Sequence, residues 1–138
     1  MDDEAHEDAE RLERVLNELA ERETAYGLFQ RAQALQRKRH NAQAAVLLER
    51  ADRLEPRKGS IVEALARAYY NSGQHQLAAD AFEELLEIEP SSAYAHFGLG
   101  QSLKQIGQRD GARTHLRLAV ALAPNSALYR QALERLGP

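Results

Sequence analysis

The sequence predicts an all-α fold built as a stack of helix-turn-helix hairpins, and three observations carry that prediction. Pro56, Pro90 and Pro124 stand 34 residues apart, and a fixed period of this kind marks a chain made of repeated helical units. With blocks 25–58, 59–92 and 93–126 aligned on those prolines, the columns stay in phase. The eighth position is Ala32, Ala66 and Gly100, and the twentieth is Ala44, Ala78 and Ala112. The twenty-fourth is Leu48, Phe82 and Leu116, and the twenty-seventh is Ala51, Leu85 and Ala119. The composition agrees: Ala, Leu, Glu, Arg and Gln dominate, all good helix formers, and only 6% of the 138 residues are aromatic.

The first element is an amphipathic helix over about Glu4 to Glu23, within an N-terminal segment 1–24. Leu12, Val15, Leu16 and Leu19 follow an i, i+3, i+4, i+7 pattern on an otherwise charged background. The segment holds ten acids and three bases, net -7, whereas residues 25–138 are net +4, so the overall -3 hides an asymmetry. No Gly or Pro separates this helix from block 1, so it is free to run on into the next one. Three roles stay open for it: a cap on the first hairpin, a dimer seam at near-heptad spacing, or an autoinhibitory helix lying on a basic face of the array.

Each block then supplies two helices. The first spans about Thr24–Lys38, Ser60–Asn71 and Ala93–Ile106; the second spans about Asn41–Leu54, Gln76–Glu89 and Asp110–Ala123. Gly73 and Gly107 suit the left-handed residue that ends a helix, while block 1 has Arg39 at that place. The proline after each second helix disfavours helix in the residue before it. Ser92 and Ser126 are positioned to cap the helices that follow. The small eighth and twentieth columns let the two helices of a hairpin approach closely, and the large twenty-fourth residue fills the space between neighbours. A last helix, Ala127 to Leu136 within segment 127–138, has Leu128, Ala132, Leu133 and Leu136 as its apolar residues and looks like a capping helix over the final hairpin.

These columns resemble the tetratricopeptide repeat, W-x2-L-G-x2-Y…A-x3-F…P. Block 2 reads Val62, Leu65, Ala66, Tyr69, Ala78, Phe82, Pro90; block 3 reads His96, Leu99, Gly100, Leu103, Ala112, Leu116, Pro124. Block 1 reads Leu28, Arg31, Ala32, Leu35, Ala44, Leu48, Pro56, with Arg31 in place of an expected Leu and no Trp in any block. The resemblance implies a right-handed superhelical α-solenoid with a concave groove lined by the first helix of each repeat. It implies a non-catalytic scaffold or adaptor that binds a peptide segment of another protein, with a self-associating structural protein as the alternative.

The groove positions implied are Tyr26, Phe29, Gln33 and Arg37 from block 1. Block 2 gives Glu63, Arg67, Tyr70 and Asn71, block 3 gives Tyr94, Phe97, Gln101 and Lys104, and the last helix gives Arg135. Aromatic rings with Arg and Gln combine contact area with hydrogen bonding. The four bases against one acid point to an acidic partner with apolar anchors. One subtype of the family grips a carboxylate with a Lys/Asn/Asn/Lys/Arg clamp. The fifth and ninth positions here are Phe29, Gln33, Glu63, Arg67, Phe97 and Gln101, which do not match it.

Other chemistries find little support. Cys is absent, which excludes disulfides and thiolate sites. His6, His40, His75, His96 and His115 form no HExxH and are expected to lack an i+4 partner, so no metal or other cofactor is implied. Arg109, Arg113 and Arg117 share a helix face that reads as solvated. A pI near 6.0 and the lack of aromatics among the basic runs argue against nucleic acid. No phosphate loop or nucleophile elbow occurs, and no enzyme is expected. The longest apolar run, Leu118–Ala123, is too short for membrane insertion, and the acidic N-terminus lacks a signal pattern. A soluble, cytoplasmic protein is the expectation.

Overall fold

In the computed structural model, which describes residues 2–138 and the side chains of all of these but 20–22, the chain forms eight α-helices. They are α1 (Asp2–Arg22), α2 (Ala25–Arg37), α3 (Asn41–Leu54), α4 (Gly59–Asn71), α5 (His75–Ile88), α6 (Ala93–Gln105), α7 (Arg109–Leu122) and α8 (Ala127–Leu136). Helices α2/α3, α4/α5 and α6/α7 pair as hairpins. Each hairpin stacks on the next through α3/α4 and α5/α6, and α8 packs on α7 and α6.

The three tight turns share one geometry. Gly73 and Gly107 take φ of 82° and 85°. The next amide in each case donates back across the turn, Gln74 N to Tyr69 O at 2.9 Å and Gln108 N to Leu103 O at 2.9 Å. This is the two-bond closure that satisfies orphan carbonyls at a helix end. Arg39 makes the same turn without glycine, at φ 63°, and His40 N reaches Leu35 O at 2.8 Å. The neighbouring helices therefore impose the left-handed residue whatever occupies it. Ser92 and Ser126 cap as expected: their Oγ atoms accept from Ala95 N at 3.1 Å and Tyr129 N at 3.2 Å.

The core follows the columns. Leu28, Leu48, Val62, Phe82, Leu85, Leu99, Leu116 and Leu136 are fully enclosed. At Gly100 an added Cβ would stand 2.8 Å from Leu116 Cγ, so the eighth column is small because the facing helix leaves no room.

The N-terminal helix departs from expectation in two ways. It does not run on into α2: Thr24 turns extended (φ -70°, ψ 151°) and its Oγ1 accepts from Gly27 N at 3.0 Å, which starts a new helix. Nor does its stripe cap the first hairpin or lie on the faces of α4 and α6. Leu12, Val15, Leu16 and Leu19 are 59%, 46%, 55% and 50% exposed, and among the described residues α1 touches α2 alone of the other helices. An ion pair links Glu23, between α1 and α2, to Arg50 of α3.

Candidate functional site

The widest gathering of expected residues lies between α4 and α6. Arg67, Tyr70 and Asn71 from the last turns of α4 meet Tyr94, Phe97, Gly98 and Gln101 of α6 over Phe82 of α5, around a cavity of about 200 Å³. The floor is shaped by a close approach. A Cβ on Gly98 would fall 2.3 Å from the Phe82 ring, so only glycine lets α6 sit this near α5. Phe82 meets Tyr94 edge-on, with centroids 5.9 Å apart at 75°. Phe97 stacks on Tyr129 of α8 at 4.8 Å and 26°. The ring walls are thus held by neighbours before any ligand arrives, which limits the ordering entropy of binding.

Polar groups stand at the rim of this apolar floor. Arg67 lies beside the Tyr94 hydroxyl and reaches Glu63 only at 4.0 Å, so its guanidinium keeps free donors. Burial pushes the Tyr94 phenol above its usual range against the opposing pull of Arg67, and Tyr94 stays a neutral donor. The Oε1 of Gln101 is buried and accepts from no donor among the described residues. An apolar hollow with an arginine, an amide and a phenol at its edge can hold an aliphatic or aromatic side chain while bonding an adjacent carboxylate or backbone.

The remaining expected residues are spread out. Tyr26 and Phe29 border a second cavity of about 170 Å³ with Lys58, Ser60 and Ile61. Tyr26 is 67% exposed, and its hydroxyl accepts from Gln30 Nε2 at 2.8 Å. Phe29 also packs against the core. Gln33 and Lys104 are half-buried, Arg37 and Arg135 are exposed, and none of the four borders either cavity. Phe82 and Gly98, which line the cavity, and Tyr129, which stacks on Phe97, are the site residues that sequence reasoning missed. Tyr129 falls on the third column, which is buried as Ile61 and Ala95 in the inner repeats, and that column could have flagged it.

Three surface features also differ from expectation. His96 and His115 come together across the α6/α7 hairpin, with Nδ1 atoms 3.1 Å apart and rings stacked at 5.3 Å. His6 does find an i+4 partner, Glu10 at 3.0 Å, with both side chains exposed. Arg109 and Arg113 are not merely solvated: they donate to Leu136 O and Gly137 O, the open carbonyls at the end of α8. Among the described residues no three metal-ligating side chains converge, and no helix is long and apolar enough to cross a membrane.

Two family models, both described as tetratricopeptide repeat, match residues 29–92 and 70–136. No curated protein matches the sequence. Among solved structures, MamA residues 41–end from Desulfovibrio magneticus RS-1 superposes with a TM-score of 0.81 at 22% identity, covering 84% of this chain and 66% of that one. The Sgt2 repeat domain from Aspergillus fumigatus gives 0.73 at 23% identity, covering 81% and 76%. The first repeat domain of Spaghetti (RPAP3), bound to the HSP90 peptide SRMEEVD, gives 0.76 at 14% identity, covering 81% and 89%.

Proposed function

The chain belongs to the tetratricopeptide repeat family, and on that premise we propose that it is a protein-interaction module whose α4–α6 face docks a short segment of another protein. The observation that carries this reading is the preformed cavity, where six of the expected groove residues converge over Phe82 and Gly98. The segment it suits is acidic with an apolar anchor. The anchor fills the hollow between Tyr70, Tyr94 and Phe97, and a flanking carboxylate meets Arg67. One structural neighbour is bound to an HSP90 peptide, but Phe29, Gln33, Glu63, Arg67, Phe97 and Gln101 stand here at the fifth and ninth positions and do not form the clamp. The reading therefore does not extend to that ligand.

Binding of a fluorescent library of acidic peptides with Leu, Val or Phe anchors tests the reading. Phe97→Ala removes the stacked wall and Arg67→Glu reverses the rim charge. Each is expected to weaken the selected peptide at least about tenfold, the range of a central interface residue. Unchanged affinity in both variants would sink the site assignment.

A further inference from the structure

We propose that α1 is itself a ligand for this face on a second copy of the chain, so that the protein associates head to tail. The inference rests on the docking reading above and names one occupant for it.

The first observation is a helix without support. Residues Asp2–Leu19 are all exposed, including four aliphatic side chains on one face. An isolated helix of this length is marginal in water, and most helical stability in proteins comes from packing an apolar face. The spacing of Leu12, Val15, Leu16 and Leu19 is that of a helix laid into a groove. The second observation is charge. Asp2–Glu10 carries six acids and no Lys or Arg, whereas the α4–α6 cavity is rimmed by Arg67, held only loosely by Glu63 at 4.0 Å. The third is length. Twenty-one residues make a helix of about 30 Å, which matches the width of three or four neighbouring helices at roughly 9–10 Å spacing.

Two other occupants fit less well. Pairing of α1 with α1 in parallel would set the six acids beside six more. The four-residue seam would also meet only a second narrow seam, whereas the α4–α6 face offers a preformed apolar cavity of about 200 Å³. Folding of α1 onto its own array is not the arrangement the structure holds: among the described residues α1 meets α2 alone of the helices, and Glu23 pairs with Arg50 of α3, in the second-helix layer, while the cavity opens in the first-helix layer. A head-to-tail contact uses two different patches, so it propagates rather than stopping at a dimer unless the rotation closes a ring.

Light scattering on the full chain provides the test. The expected mass starts at 15.5 kDa and climbs with protein concentration, and added salt lowers it. Leu12→Glu with Leu16→Glu disables the ligand, and Arg67→Glu disables the receptor. All three positions are exposed or half-exposed, and circular dichroism confirms that the variants fold. Each variant alone is expected to lose at least about tenfold in self-association, while an equimolar mixture forms a complex of one copy of each, because each supplies the patch the other lacks. Three results would overturn the inference: a wild-type mass that stays constant up to ~1 mM, an Arg67→Glu variant that associates like wild type, as α1–α1 pairing would, or a mixture that stays monomeric. If wild type is monomeric but still captures acidic peptides in a Phe97-dependent way, only the self-association falls and the docking reading stands.

Discussion

At the C-terminal end of the array, Ala132 and Leu136 of α8 are buried on the preceding hairpin, and Arg109 and Arg113 bond its last carbonyls. At the N-terminal end, the equivalent surface of α2 carries Gly27, Gln30, Arg31 and Ala34, half-buried or exposed. These are the third, sixth, seventh and tenth columns. In α4 they read Ile61, Ala64, Leu65 and Ala68, and in α6 Ala95, Gly98, Leu99 and Ser102, all buried. A stack of hairpins always leaves two unpaired faces. Here one is covered by a further helix, α8, and the other is itself polar. The polar face of α2 gives the α1 stripe no apolar surface to pack on, which fits the exposure of Leu12, Val15, Leu16 and Leu19.

The sharpest way to break this comparison is to exchange residues within one column. Leu99→Arg puts an unpaired charge where Leu99 of α6 is enclosed in the core. Such a charge costs several kcal/mol, commonly more than ~3, and loss of the cooperative helical transition is expected on urea titration. The converse change, Arg31→Leu, restores the family residue at the exposed end. It should shift stability by less than about 0.5 kcal/mol, as surface changes do, and show itself instead as greater stickiness. Equal effects from the two changes would mean that the ends and the middle obey the same rule.

Removal of whole helices gives a smaller contrast in the same sense. Deleting residues 127–138 uncovers the last hairpin, and the buried Leu136 alone accounts for roughly 2–5 kcal/mol on the scale of large-to-small core changes. Deleting residues 1–23 removes no buried side chain among the described residues and only one tie, Glu23 to Arg50. Its cost should stay within about 1 kcal/mol, the usual value of an exposed ion pair. Thermal melts of the two truncations decide it. If the first 23 residues prove as costly to lose as α8, the polar face of α2 is not sufficient by itself.

The same contrast explains what could be read in advance. Helix bounds were legible to within two residues because the prolines, Ser92, Ser126, Gly73 and Gly107 act on the chain next to them. Arg39 hid its turn because its left-handed backbone is imposed by packing and not by its own preference. Thr24 stopped a helix through one side-chain bond that competes with continued helix, and no breaker residue announced it. The candidate site was legible as columns, which placed Arg67, Tyr70, Asn71, Tyr94, Phe97 and Gln101 on one side. The Phe97–Tyr129 stack and the His96–His115 pair join residues 32 and 19 positions apart. Such pairs become visible only when the helices are set side by side.

The histidine pair gives the smallest effect and the most local one. His96 Nε2 faces the Pro90 carbonyl at 3.3 Å. A carbonyl only accepts, so that nitrogen carries the proton of neutral His96. His96 Nδ1 then accepts from His115 Nδ1, 3.1 Å away. Burial, helped by the neighbouring His96, lowers the His115 pKa from its ordinary 6.5. A base whose folded-state pKa is depressed contributes stability that is complete above its unfolded value. That stability is lost as the pH falls through the folded one, because the unfolded chain takes up the proton first. The loss should fall on the third repeat alone, since the same columns in the first repeat hold Leu28 and Leu47. Amide exchange, corrected for its intrinsic pH dependence, is expected to show protection falling in α6 and α7 between pH 7.5 and pH 5 while α2 and α3 hold theirs. His115→Asn should flatten that dependence. A uniform loss across all three hairpins would place the titration elsewhere and leave the two ends of the array with the same response to acid.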